Sequence, residues 1–200
     1  PTAPSPAPPI KEYANPTTTG VVVDTSISQG STWVNDINND GTIQGLRRAS
    51  YKKWLTGNML NQDRSIREKM ILFWTDHFGN RTTDVGNGNW MYQQHQLIRQ
   101  YALGNFKSLV RSISVDIAML RFLNGYLNYV TAPDENYARE LMELFVLGVD
   151  RYTEDDVKAA ARALTGYQVV NYAGTITFNP KRHDPNPISI LGTTQAFNGE

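Results

Sequence analysis

Residues 133–148, PDENYARELMELFVLG, constrain the fold more than any other stretch of this chain. Asp134 stands where an N-cap accepts from the first-turn N–H groups, Glu135 follows in the electropositive first turn, and Gly148 supplies a stop. At about 100° per residue, Tyr137, Ala138, Leu141, Met142, Leu144 and Phe145 cover more than half of the helix circumference. A helix this apolar is mostly buried. Its polar stripe of Glu135, Asn136, Arg139, Glu140 and Glu143 therefore faces other protein, and carboxylates in such a place need partners.

Two readings fit that stripe. In the first it is an ion-pair ladder, with Arg139 spaced i,i+4 from both Glu135 and Glu143 and held inside the fold. Glu140 then has no helical partner of opposite charge, and Arg162 is the candidate to supply one. In the second, Glu140 and Glu143 present two oxygen ligands or an acid/base pair. Ion-pair networks produce the same clusters, so spacing favours the structural reading.

Composition narrows the partners. The formal net charge is zero and there is no basic block, which argues against nucleic acid and against a polybasic membrane contact. With no cysteine there is no disulfide framework and no thiolate zinc site. No apolar run approaches the roughly 20 residues of a membrane span.

Residues 1–9, PTAPSPAPP, are extended and polyproline-like, a linker rather than a ligand for proline-binding domains. Within an extended segment over residues 1–30, residues 21–24 read as one strand. Residues 36–41, DINNDG, look like part of a calcium loop but lack its terminal glutamate, so they read as a turn. A helix over residues 42–60 turns Leu46, Trp54, Leu55 and Met59 inward and Arg47, Arg48, Lys52 and Lys53 outward. Ser65 and Glu68 have the spacing of a capping box for the next helix, which runs to Gly79. A loop over residues 81–89 precedes a helix over residues 90–103. Another helix starts at Asn105, and a short one follows a break near Asp116.

After the central helix, Thr153 and Asp156 form a second capping-box pattern, opening a helix over residues 154–164. Its Val157, Ala160, Ala161 and Leu164 make a flat face for close packing. Residues 167–172 and 175–179 alternate around Ala173-Gly174 as a hairpin. The tail beyond Pro180 reads as a proline-rich loop. The expected fold is mainly α: a helical, bundle-like domain over residues 31–200 with a small β-hairpin near the C-terminus and an extended Pro-rich N-terminus. Leu141, Leu144, Phe145, Phe73, Trp74, Leu109, Met119 and Leu164 are its expected core.

Several of these blocks occur together in one order: FWTDHF, ALGNFKSLV, DIAMLRFLNG, the central block, YTEDDVKAAARALTGY, and Phe178 followed by Arg182-His183-Asp184. The set resembles the bacterial family catalogued as domain of unknown function 1800. The resemblance covers roughly residues 49–192 and implies an exported protein, at the cell surface, in the periplasm or secreted. Family members are typically larger, which implies a piece of a longer domain. The family has no established activity, so the resemblance implies no reaction. This chain also departs from the family pattern. Thr75 replaces the first of two motif histidines, Asp134 replaces an asparagine, and Ile188 stands where a lysine is usual.

The polar residues inside these blocks define the candidate site. Glu140, Glu143, His183 and Asp184 are the candidate catalytic groups. His77, Glu140 and His183 are the candidate ligands of a divalent metal, zinc, manganese or iron, which would activate water for hydrolysis. No segment carries a metal-ligand spacing such as HExxH. His77 on its apolar helix reads as a satisfied core residue, and His95 reads as surface. His183 is the stronger candidate, because it lies in a loop beside an aspartate able to orient it. The alternative is a non-catalytic helical scaffold or binding module of a cell-surface or secreted assembly. Exposed Trp33, Trp90, Tyr92, Tyr126 and Tyr129 would then offer flat amphipathic rings to a polysaccharide or a protein partner.

Overall fold

Short polar side chains start most helices of this protein, and the computed structural model shows them in place over the residues it describes: 5–14, 23–62, 64–170 and 173–197. The chain divides into two compact units, Pro1–Gly104 and Asn105–Glu200. Among the described residues, eight α-helices and two small antiparallel hairpins make up most of the regular structure, so the fold is mainly α as expected. No helix among them is long and apolar enough to cross a membrane.

In the first unit, Asp40 caps α1 (Gly41–Leu60) by accepting from the N–H groups of Thr42 and Ile43. The DINNDG stretch is thus a helix entry, and its other aspartate, Asp36, accepts from Arg47. Arg47 departs from expectation: it is fully buried, on the α1 stripe with Ile43, Gln44 and Tyr51. It reaches Asp24 at 3.5 Å and the Asp36 carboxylate, and donates 2.9 Å to the Asp36 carbonyl. A cation is tolerated there because two carboxylates neutralise it. Burial alone would raise the Asp24 pKa. Hydrogen bonds from Tyr13 and Ser26 and the charge of Arg47 outweigh it and hold Asp24 below the usual carboxylate range.

The helix α2 (Arg67–His77) lacks its expected capping box. Ser65 accepts from Arg67 N–H, but Glu68 instead forms a buried ion pair with Arg99, at 2.6 Å, on α4 (Gly88–Tyr101). The intervening loop holds a single turn, α3 (Thr82–Val85). Asn87 caps α4. The first α4 residue, Gly88, lies so close to α1 that a Cβ there would stand 3.0 Å from the Arg47 Cβ. Phe73, expected in the core, is 52% exposed, and Trp74 is half-buried. His95, expected at the surface, is 1% exposed, edge-on to Trp54 at 4.9 Å. Trp33 and Trp90 are likewise buried rather than presented to a partner.

The described part of the proline-rich stretch, residues 5–9, is outside any helix or strand and is tied to α1. Trp54 Nε1 donates to the Ala7 carbonyl at 2.7 Å, and Ser50 Oγ to the Ile10 carbonyl at 2.9 Å. Prolines have no N–H to offer, so this segment docks through its carbonyls. Of the expected strand over residues 21–24, Val21 and Val22 lie outside the described residues; Val23 and Asp24 are not in a strand.

In the second unit, Asn105 caps α5 (Phe106–Ile113) and Asp116 caps α6 (Ile117–Phe122). Leu109, Ile113, Ile117, Met119, Leu120 and Tyr137 are fully buried. Asp134 caps the central helix as expected, but the helix has two parts: α7 (Glu135–Glu140), then a π-helical stretch, Leu141–Val146. Leu147 N–H returns to the Met142 carbonyl, five residues back, at 2.7 Å. The wider turn shifts each later side chain off the α-helical face. Leu144 is therefore 57% exposed rather than core, while Met142 and Phe145 stay buried and Leu141 is half-buried.

Against this helix packs α8 (Glu154–Ala163), opened by the expected Thr153–Asp156 capping box. Ala138, Met142, Val157, Ala160 and Ala161 form one buried cluster, flanked by Leu164 and Ile190. The first hairpin pairs β1 (Tyr167–Val169) with β2 (Ile176–Phe178); Asn171 and Tyr172 lie outside the described residues. A second hairpin, β3 (Ile188–Ile190) with β4 (Thr193–Gln195), stands where only a loop was expected. Its two-residue turn is Leu191-Gly192, with φ of 50° and 77°. A leucine at positive φ is not a turn signal. Asp156 supports it by accepting from Leu191 N–H at 2.7 Å.

Candidate functional site

The sequence candidates fall in both units. His77 belongs to the first, on α2 among the rings of Phe73, Trp74 and Phe78; its ring lies edge-on to Phe78 with centroids 4.7 Å apart. The other candidates belong to the second unit. Among the described residues, no group of three or more histidine, aspartate and glutamate side chains is placed to hold a metal ion.

On the central helix the expected ladder is only half formed. Arg139 lies 3.8 Å from Glu135, and its main partner is Glu154, reached by two parallel bonds of 2.7 Å. Glu143 is not its partner; it accepts from the Tyr152 hydroxyl. That hydrogen bond raises the Tyr152 pKa, and the Arg139 guanidinium lowers that of Glu154. Arg139 is 35% exposed, so its ladder is a surface feature. Glu140 is half-buried and makes no ion pair among the described residues. Arg162, its expected partner, is engaged elsewhere.

Arg162 instead binds Asp184. Its Nε donates to Oδ2 at 2.6 Å, while Asp184 Oδ1 accepts from Asn186 N–H at 3.0 Å and from its amide at 2.7 Å. The Arg162 bond holds Asp184 below the usual carboxylate range. His183 is buried, as Asp184 is. One ring nitrogen, Nδ1, faces the Thr165 carbonyl at 2.9 Å; the other, Nε2, faces the Phe197 carbonyl at 2.6 Å. The loop that carries them is fixed by Gly166, at φ +98°. A Cβ there would stand 2.9 Å from both His183 and Phe178. His183 and Asp184 are neighbours in a bonded knot that ties the start of β1 to the loop after β2.

Two features had little or no signal in the sequence. Asn128 is fully buried; its amide donates to the Ala161 carbonyl at 2.9 Å and its Oδ1 accepts from Asp134 N–H at 2.8 Å. It thereby joins the end of α8 to the cap of α7. An asparagine between a short helix and a turn carries no pattern that marks this role. The second is a hollow of about 410 Å³ lined by Tyr126, Leu127, Tyr129, Gln168, Val170 and Arg182, among others. Tyr126 and Tyr129 were legible as ring surfaces, but the arginine beside them was not.

A family model described as protein of unknown function (DUF1800) matches residues 11–200. A search of curated proteins and a search of solved structures each return no match.

Proposed function

The chain belongs to the DUF1800 family, and from that premise we propose that it is a non-catalytic helical binding module of an exported assembly. The observation that carries this reading is the bonding of His183 and Asp184. A general base or metal ligand needs a lone pair directed at substrate or metal. Here the Asp184 oxygens accept from Arg162 and Asn186, and each His183 ring nitrogen is directed at a backbone carbonyl. Glu143 is engaged by Tyr152 in the same way. The family resemblance supports export, and a chain free of cysteine is compatible with it.

Elemental analysis of protein purified without a histidine tag tests the reading. We expect no divalent metal at stoichiometric level, and no change in metal content for Glu140→Gln. Stoichiometric metal that Glu140→Gln removes without loss of stability would overturn it in favour of a metal-dependent hydrolase using Glu140, Glu143, His183 and Asp184. Fractionation of the source cells tests the compartment, and recovery in the cytoplasm would refute export.

A further inference from the structure

We propose that the hollow beside Tyr129 and Arg182 is a binding site for a ligand that carries a carboxylate. The guanidinium of Arg182 lies over the Tyr129 ring at 3.6 Å. Its Nη1 donates to Gln168 Oε1 at 2.6 Å. Nε and Nη2, which form the other edge of the fork, are shielded from water and have no hydrogen-bond partner among the described residues. Buried polar groups are nearly always bonded, and a charged donor left without an acceptor is the costly case.

The chemistry of that edge selects the ligand. Two parallel N–H groups match the two oxygens of a carboxylate, which also neutralises the charge; a single hydroxyl or carbonyl does neither. No aspartate or glutamate lines the hollow, and Arg182 has no ion pair among the described residues. The pocket is therefore cationic without an internal counter-charge. The scaffold holding Arg182 is fixed: its carbonyl accepts from Val130 N–H at 2.8 Å, next to Tyr129. Tyr126, Leu127 and Val170 give apolar walls for the ligand body, and about 410 Å³ suits a molecule of one or two rings. Reaching Nε and Nη2 asks for a rotation of the Arg182 side chain, whose bond to Gln168 is its only side-chain hydrogen bond among the described residues.

Two sources share this chemistry, the acidic sugar of a polysaccharide and a free organic acid. Calorimetric titration of the whole chain with glucuronate, benzoate and glucose separates them. Saturable binding of glucuronate alone marks an acidic-sugar site, and binding of benzoate marks a general organic-acid site. Either supports the proposal when glucose does not bind. Arg182→Gln should weaken binding at least about tenfold, the equivalent of one charge-assisted hydrogen bond. Should that variant fail to fold, Arg182→Lys keeps a cation over Tyr129 but loses the two-donor edge, and the same loss is expected. No saturable binding of either acid, equal binding of glucose, or wild-type affinity in the folded arginine variant would overturn the site. This site gives the binding-module reading its ligand and rests on it, yet the two fail separately: metal content bears on the module and carboxylate titration on the hollow.

Discussion

Arg162 Nε donates to Asp184 Oδ2 across 2.6 Å, joining the last turn of α8 to the loop that leads into β3. Asp184 is buried, while Arg162 is 38% exposed, so solvent screens part of the attraction. Asp184→Asn keeps the shape and removes the charge. We expect a loss of about 1–2 kcal/mol at pH 7, below the full value of a charged hydrogen bond because of that screening. The folded-state pKa is depressed. The stability it contributes is therefore present above about pH 3.9, the unfolded value, and is lost as pH falls through the lower folded value. Urea denaturation of both proteins at pH 7 and pH 3 checks this: the gap should narrow at pH 3, and a gap of constant size would refute the assignment.

Asn128 is predicted to be a stability residue with a chemical signature. Asn128→Ala leaves the Asp134 N–H and the Ala161 carbonyl without their side-chain partner inside the fold, at a cost of about 2–3 kcal/mol. Asn128→Asp should be worse than alanine at pH 7. It keeps the acceptor but cannot donate to Ala161, and it buries a charge. Denaturation midpoints at pH 7 decide the order; aspartate more stable than alanine would contradict it.

His95 gives a pH dependence of the opposite chemical type. Burial, helped by the charge of Arg99, lowers its pKa to about 3. Its two ring nitrogens have no hydrogen-bond partner among the described residues. Below about pH 6.5 the unfolded chain takes up a proton that the folded chain refuses, so acidification destabilises the fold. Between pH 7 and pH 5 this amounts to about 2 kcal/mol. His95→Leu should remove that loss and be neutral or stabilising at pH 7, since no buried polar atom is left over. An unchanged difference between the two pH values would show that His95 is solvated.

The ladder on the central helix should be nearly silent. Arg139 and Glu154 are exposed despite their two-bond geometry, and exposed pairs contribute little. Arg139→Ala is expected to leave the thermal midpoint close to wild type. Arg47→Met, by contrast, takes the guanidinium away from buried Asp24 and half-buried Asp36 and should cost about 3 kcal/mol or more. Comparable shifts for the two variants in one thermal scan would reverse this ranking.

The sequence by itself determined the parts governed by nearby residues. Asp134, Asn105, Asp116 and Thr153 mark helix starts because a short polar side chain reaches only the N–H groups two or three residues ahead. The alanine face of α8 and the Ala173-Gly174 hairpin follow from the same local rules, and the ordered blocks were enough to identify the family. What failed depended on partners far along the chain. Glu68 left its capping box for Arg99, 31 residues away, and Arg47 went inside because Asp24 and Asp36 meet it there. The π-turn that exposes Leu144 and the Leu191 turn held by Asp156 come from backbone geometry that three-dimensional contacts stabilise. The candidate site divides on the same line. Spacing could nominate Glu140, Glu143, His183 and Asp184 by residue type. Only the tertiary structure could assign Asp184 to Arg162, Glu143 to Tyr152 and the Arg182 guanidinium to Tyr129, because side chains brought together by folding leave no period in the sequence.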